Sequence, residues 1–391
     1  MPTYDKLSLF IFIDAFGWDI LNGVDFLEQD LPYRRKLRSV MGYSSTAVPS
    51  ILTGRYPAEH GHFSFYYYDP VNSPFKWLRP LRFTPDFIAS RARVRNKMSQ
   101  YLKRIYGFTG YFQIYSMPFK YIHLFDYCEK KSIFAPDGII NGDNIFTKLE
   151  LAGVDYHVSD WHAPEEQNFK SICRAVESRA IEWAFFYNAD LDGILHIHGA
   201  GSSESLARIG LYRKRLNELF EIVKRNYRDC DIYVFSDHGM ANTTEHHELW
   251  REVDNLGFRF GRDYAAVYDS SMARFWFFNQ DTRNAITRLL NTQTYGRILS
   301  DNELKDLKAY FPDAKYGELF FMLHENHLIV PSFMGRKPIK GMHGYHPDST
   351  SSYAMIMSNR QLPSNVQAIT DIYSLMAQPL ILHGQAEGRH K

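Results

Sequence analysis

Leu7-Ser8-Leu9-Phe10-Ile11-Phe12-Ile13-Asp14 is a near-continuous apolar run that closes on a carboxylate. A central parallel strand has this form because neither of its faces meets solvent, and its carboxyl end is where an open α/β sheet presents functional groups. The same form returns over 155–160, 183–190 and 231–237, each time ending in polar residues. Helical patterns over 145–152, 171–181 and 205–225 separate these runs. Strand alternating with helix predicts an α/β fold, a doubly wound and mostly parallel sheet flanked by helices.

Two segments break the rhythm. Over 63–135 aromatic residues crowd together with Pro70, Pro74, Pro80 and Pro85, a density that argues against a regular central element. An amphipathic helix follows, with Val94, Met98, Tyr101 or Leu102 and Ile105 on one face and Arg91, Arg95, Lys97, Lys103 and Arg104 elsewhere. Ten Lys or Arg stand between Phe63 and Ile122 against only Asp69 and Asp86. This stretch is expected to be a basic insertion that forms a lid over the site. The second break, 261–340, has strands at 272–278 and 319–323 around a helix near 302–309, a small α+β subdomain. The catalytic core is then expected in 1–62, 136–260 and 341–391.

The 391 residues are 45% apolar and 23% charged, so the chain is globular and long enough for a large core. A net charge of +1 gives no global argument for nucleic acid, and no nucleic-acid partner is expected. Cys128, Cys173 and Cys230 are widely spaced and predict free thiols in a reducing compartment. There is no secretory signal pattern and no run long enough to span a bilayer, which makes a cytoplasmic location the expectation.

Tyr43-Ser44-Ser45-Thr46 leads from a glycine-bearing loop into an apolar run that ends at Thr53-Gly54, so the hydroxyls fall in the first turn of a short helix. Free backbone N–H groups and the helix dipole favour an anionic substrate there. Six potential metal ligands stand at predicted strand ends or in loops: Asp14, Asp192, His196, Asp237, His238 and His343. Carboxylates with imidazoles suit zinc or a similar ion, and two such groups can hold a pair of ions about a phosphoryl oxygen. Glu245-His246-His247-Glu248 also looks like a metal cluster, but is read as a solvated face at the start of a helix.

These motifs together resemble the alkaline phosphatase superfamily, and within it the type I phosphodiesterase/nucleotide pyrophosphatase branch. Asp14 ends the first strand, Leu52-Thr53-Gly54-x-Tyr56-Pro57-x-x-His60-Gly61 follows the nucleophile helix, and Asp192-x-x-x-His196-x-x-Gly199, Ser236-Asp237-His238-Gly239-Met240 and His343-Gly344-Tyr345 follow in the family's order. The resemblance implies an alkaline phosphatase-like fold and two divalent metal ions, most simply zinc. One would be held by Asp192, His196 and His343, the other by Asp14, Asp237 and His238. It also implies a nucleophile at Ser44 that bridges the second ion and the phosphate, with Ser45 the rival by register. The chain departs from the branch at Ser44, where threonine is usual, and at Ala47, where an asparagine is expected, which leaves one oxyanion contact unassigned.

The expected activity is hydrolysis of phosphoric esters through a phosphoseryl intermediate, as a phosphodiesterase or pyrophosphatase. Alternatives are a phosphomonoesterase, a phosphoryl transferase or mutase of the same superfamily, and a binding module that keeps its metals without turnover. The partner is expected to be a small phosphate ester or diphosphate carrying a nucleotide, sugar or lipid group. Arg91, Arg93, Arg95 and Lys97 are expected to attract further anionic groups or an anionic membrane surface.

Overall fold

The computed structural model describes residues 3–387. At its centre is a six-stranded sheet in the order Tyr33–Leu37, Ala354–Ser358, Asp229–Phe235, Lys6–Ile13, Trp183–Asn188 and Tyr156–Val158. Strand Lys6–Ile13 runs parallel to both of its neighbours, and Ala354–Ser358 is antiparallel to both of its own. The run that opens the chain is therefore the middle of the sheet. Its alternation serves two cores: Leu7, Leu9, Ile11 and Ile13 pack on one face against helices Glu165–Ser178 and Ser203–Asn226, while Phe10 and Phe12 pack on the other with helix Ser44–Thr53 and Trp183. Both faces are dry, which is why the run shows no polar alternation.

A second sheet of four antiparallel strands, in the order Tyr264–Tyr268, Met272–Phe277, Leu319–Leu323 and Gly296–Leu299, lies in 261–340. Helices Gln280–Asn291 and Asp301–Asp306 accompany it. The sequence reading found two of the four strands and the second helix only. The segment 63–135 opens and closes on an antiparallel pair, Tyr66–Tyr68 with Phe125–Tyr127, so its two ends stand side by side. Tyr66, Phe75, Leu102, Phe112 and Tyr127 from this segment share one hydrophobic cluster with Tyr268, Phe275, Phe321 and Phe333.

Helix Ala92–Tyr106 lies in that segment, but with a different buried face from the one its apolar residues predict. Arg95, Ser99 and Leu102 point inward, whereas Tyr101 and Ile105 are exposed. Arg95 donates to the carbonyls of Ala89, Tyr115 and Met117 and lies over the Phe119 ring. It is a structural anchor, not one of the surface charges expected to attract anions. Among the described residues no helix is long and apolar enough to cross a membrane.

Candidate active site

The carboxyl end of the central sheet gathers all seven residues singled out above. Strand Lys6–Ile13 delivers Asp14, strand Asp229–Phe235 delivers Asp237 and His238, and the two-residue strand Gly341–Met342 delivers His343. Asp192 and His196 lie on helix Asp190–His198, not at a strand end or in a loop. Their spacing of four residues places both on one face of that helix. Ser44 is the first residue of helix Ser44–Thr53, whose first closed backbone bonds run from the N–H groups of Thr46 and Ala47 to Tyr43. Two motif glycines are set by close packing. A Cβ on Gly239 would meet the Ser351 carbonyl at 2.3 Å, and one on Gly344, at φ +82°, would meet the Tyr43 ring at 2.4 Å.

His238 is the hinge of the arrangement. Its Nδ1–H donates to the Gly239 carbonyl at 2.9 Å, which leaves a lone pair on Nε2. That nitrogen faces Ser44 Oγ at 2.9 Å, Asp237 Oδ2 at 3.1 Å and Asp14 Oδ1 at 3.8 Å. His196 is oriented the same way: Nδ1 donates to the Gly341 carbonyl at 2.8 Å, and Nε2 faces Asp192 Oδ1 at 3.4 Å. His343 Nε2 lies 3.6 Å from the same oxygen. A nitrogen of each of the three imidazoles thus faces a carboxylate oxygen. Asp14 Oδ1, Asp192 Oδ1, Asp237 Oδ2 and His343 Nδ1 are buried with no hydrogen-bond partner among the described residues. Acceptors that converge without donors suit divalent cations, and the mixed oxygen and nitrogen set suits zinc.

The electrostatics agree. Burial, with Asp237 and Asp192 nearby, lifts Asp14 well above the usual carboxylate range. Burial, with Asp192 adding to it, pushes Asp237 up to about 7. Burial also works to raise Asp192, but His196 and His343 outweigh it and hold that carboxyl below its ordinary value. In His196 burial opposes the charge and Asp192 overcomes it, which lifts the imidazole to about 9. Burial and His238 drive His343 well below the ordinary value. Carboxylates this close cannot all ionise unless a positive charge joins them.

Two sets of three ligands fall within 4.8 Å of one another: Asp14, Asp237 and His238, and Asp192, His238 and His343. His238 belongs to both, and His196 stands beside the second through Asp192.

The sequence profile of the type I phosphodiesterase / nucleotide pyrophosphatase family matches residues 9–345. The chain belongs to that family. It is accordingly a hydrolase of the phosphodiesterase/nucleotide pyrophosphatase type. No curated protein sequence matches it. Among solved structures, human ectonucleotide pyrophosphatase / phosphodiesterase 5 is similar with a TM-score of 0.68 at 14% identity, over 96% of this chain and 95% of that one. The murine protein of the same name gives a TM-score of 0.66 at 16% identity, over 96% and 95%. An inactive murine form in complex with AMP gives 0.65 at 16%, over the same shares. These likenesses establish the alkaline phosphatase-like fold.

In this member of the phosphodiesterase family the cluster of candidate metal ligands opens into a cavity of about 500 Å³. Phe65, Tyr111, Tyr115 and Phe134 from the 63–135 segment line it, together with Trp161. The Tyr111 ring lies 5.6 Å from Phe65 and 6.2 Å from Trp161, and its hydroxyl is 2.5 Å from that of Tyr115. None of these was singled out for function from the sequence, since they come from distant segments without a common period. Tyr187, which donates to Asp14 Oδ2 at 2.7 Å, was also missed. Its position one residue before the end of strand Trp183–Asn188, on the same face as Phe185, was the available signal. Ser45 Oγ is buried beside Ser44 with no hydrogen-bond partner among the described residues, and the residue also lines the cavity.

Proposed function

We propose that the chain hydrolyses a phosphodiester or diphosphate through a covalent ester on Ser44, with two divalent ions, zinc, held by Asp14, Asp237 and His238 and by Asp192, His196 and His343. The carrying observation is the short contact between Ser44 Oγ and His238 Nε2 at the meeting point of unpartnered buried carboxylate oxygens. When bound, the ions supply Lewis-acid neutralisation of phosphoryl oxygens. Ser44 Oγ, its proton released to solvent, bonds to phosphorus as the bond to the leaving alcohol oxygen breaks, and that oxygen takes a proton from water. A water oxygen then bonds to phosphorus as the bond to Ser44 Oγ breaks, the water giving up a proton and Ser44 Oγ regaining one. The first N–H groups of helix Ser44–Thr53 and the Ser45 hydroxyl face the anion and stabilise the charge that develops on it.

The 63–135 segment serves in this reading as the lid of the site. Its aromatic lining fits a flat or extended apolar group beside the phosphate, such as a nucleobase, and Arg91, Arg93 and Lys97 remain exposed on their helix to meet further negative charge. Rapid quenching of the zinc-loaded enzyme during turnover of an aryl ester of a nucleoside monophosphate, followed by peptide mass spectrometry, tests the proposal. A nucleotidyl group on the peptide that contains Ser44 is expected. A burst of aryl alcohol with the label on another residue, or turnover with no covalent adduct and no burst, rejects it.

A further inference from the structure

Glu245, His247 and His327 lie outside the active site and have no part in the chemistry above. They occupy a two-stranded parallel ladder, Glu245–His247 with His327–Ile329, in which Glu245 is the register partner of His327. The sequence reading placed Glu245-His246-His247 at the start of a helix. The structure makes it a strand, with the helix beginning only at Leu249, so Glu245 and His247 share one face. His247 Nε2 and His327 Nδ1 are 3.0 Å apart, and His327 Nδ1 is 3.6 Å from Glu245 Oε2. One ligand atom from each of the three falls within 4.8 Å of the others.

We infer that these three side chains form a third divalent-metal site, a His2Glu zinc site that fastens the wall of the substrate cavity to the catalytic core. A tetrahedral zinc with ligands at about 2.0–2.1 Å has ligand atoms about 3.3 Å apart, and the observed separations bracket that value. A hydrogen bond between the two imidazoles accounts for their 3.0 Å contact, but not for the carboxylate turned toward the same nitrogen. The rings are pre-set. His247 lies flat on Tyr295, with centroids 3.6 Å apart and planes 7° from parallel. Its carbonyl accepts from the Val330 N–H at 2.9 Å, and that of His327 accepts from the Tyr345 hydroxyl at 2.8 Å.

The location gives the site its role. Strand Glu245–His247 follows the Asp237-His238 loop in the chain, and Leu328, Ile329 and Val330 line the cavity directly after His327. A metal across this ladder therefore joins the chain segment that leaves the catalytic loop to a segment of the cavity wall.

Metal-free protein titrated with zinc against a chromophoric chelator tests this. The wild type is expected to bind one equivalent more than His327→Gln. In a background carrying Asp192→Asn and Asp237→Asn, one equivalent is expected to remain and to disappear on adding His327→Gln, so the result does not depend on the catalytic centre. Glu245→Gln, at an exposed position that leaves the fold undisturbed, is expected to weaken that equivalent by at least the roughly 10–100-fold that loss of an outer partner costs. Equal zinc stoichiometry in wild type and His327→Gln, both folded by circular dichroism, overturns the site. Should His327→Gln not fold, unchanged zinc affinity in Glu245→Gln overturns it instead.

Discussion

Buried carboxylates stand around one cavity in two settings, one answered by a guanidinium and the other gathered among imidazoles. Asp269, in the wall, receives Arg274 Nε at 2.8 Å and Ser64 Oγ at 3.3 Å, and the same guanidinium donates to the carbonyls of Tyr66 and Tyr316 and to Ser64 Oγ. Asp14, Asp192 and Asp237, at the end of the central sheet, have imidazole nitrogens and one another for neighbours, and one oxygen of each has no hydrogen-bond partner among the described residues. Burial raises Asp269 too, and Arg274 opposes that rise from within the protein without cancelling it. The first arrangement joins the 63–135 segment to the four-stranded sheet and serves the fold. The second costs stability and has to be offset by ligands, which is the mark of a site built for chemistry.

The comparison breaks most visibly on removal of metal. Dialysis against a strong chelator is expected to abolish phosphodiester hydrolysis and lower the melting temperature, and zinc should restore both, as binding to the native state alone requires. Elemental analysis of protein purified without chelator supplies the metal's identity. Full activity with no transition metal bound would remove the distinction between the two groups of carboxylates. Next in size is Ser44→Ala, expected to lower kcat on the order of 10³-fold or more with metal content and melting temperature unchanged, because the hydroxyl acts on substrate and fills little space. Ser45→Ala should be much milder. The reverse order would move the nucleophile by one residue.

Arg274→Met probes the other side of the comparison. It leaves Asp269 buried and unpaired and removes three further hydrogen bonds, so a loss of about 3–5 kcal/mol in urea denaturation is expected, with the zinc stoichiometry of the central-sheet site unchanged. A loss of zinc with little change in stability would show that the wall and the metal centre are one unit.

The ease of reading these two regions from sequence differs for a physical reason. The centre of the sheet is legible because strands dry on both faces show as unbroken apolar runs, and the ligands sit in short local motifs at their ends. The edge strand Tyr33-Arg34-Arg35-Lys36-Leu37 is not, since it is charged and only Leu37 is fully buried. Helix Glu165–Ser178 begins six residues before the expected start, where Pro164 and the acidic pair Glu165-Glu166 were the available signal. The wall is harder still. Arg274 sits in an aromatic strand and Arg95 in a basic helix, and no periodicity shows that either guanidinium is buried against carbonyls hundreds or tens of residues away. The ladder of Glu245–His247 is likewise set by a partner strand more than eighty positions further on in the chain, which local pattern cannot supply.

Glu129 is a third kind of carboxyl at the same cavity, and it gives the smallest and most discriminating test. It has neither a guanidinium like Asp269 nor a place in the candidate metal-ligand cluster; among the described residues its carboxylate's one hydrogen bond is from the Tyr111 N–H at 3.4 Å. Burial pushes it up to about 8, with His62 and Lys103 only partly opposing the rise. The native protein therefore keeps this proton between the ordinary carboxylate range and about pH 8, while the unfolded chain has already released it. Stability from this group is whole below the unfolded value and is lost as pH rises through the folded one, at a rate of no more than about 1.4 kcal/mol per pH unit. Glu129→Gln cannot titrate. Relative to wild type it should be neutral near pH 5 and should become more stable by a few kcal/mol at most near pH 9, as read from urea denaturation of both proteins across that range. Taking the difference between the two removes the metal ligands' own titration, which they share. Parallel curves would mean that Glu129 ionises like a surface carboxylate, and that its charge is balanced within the wall after all.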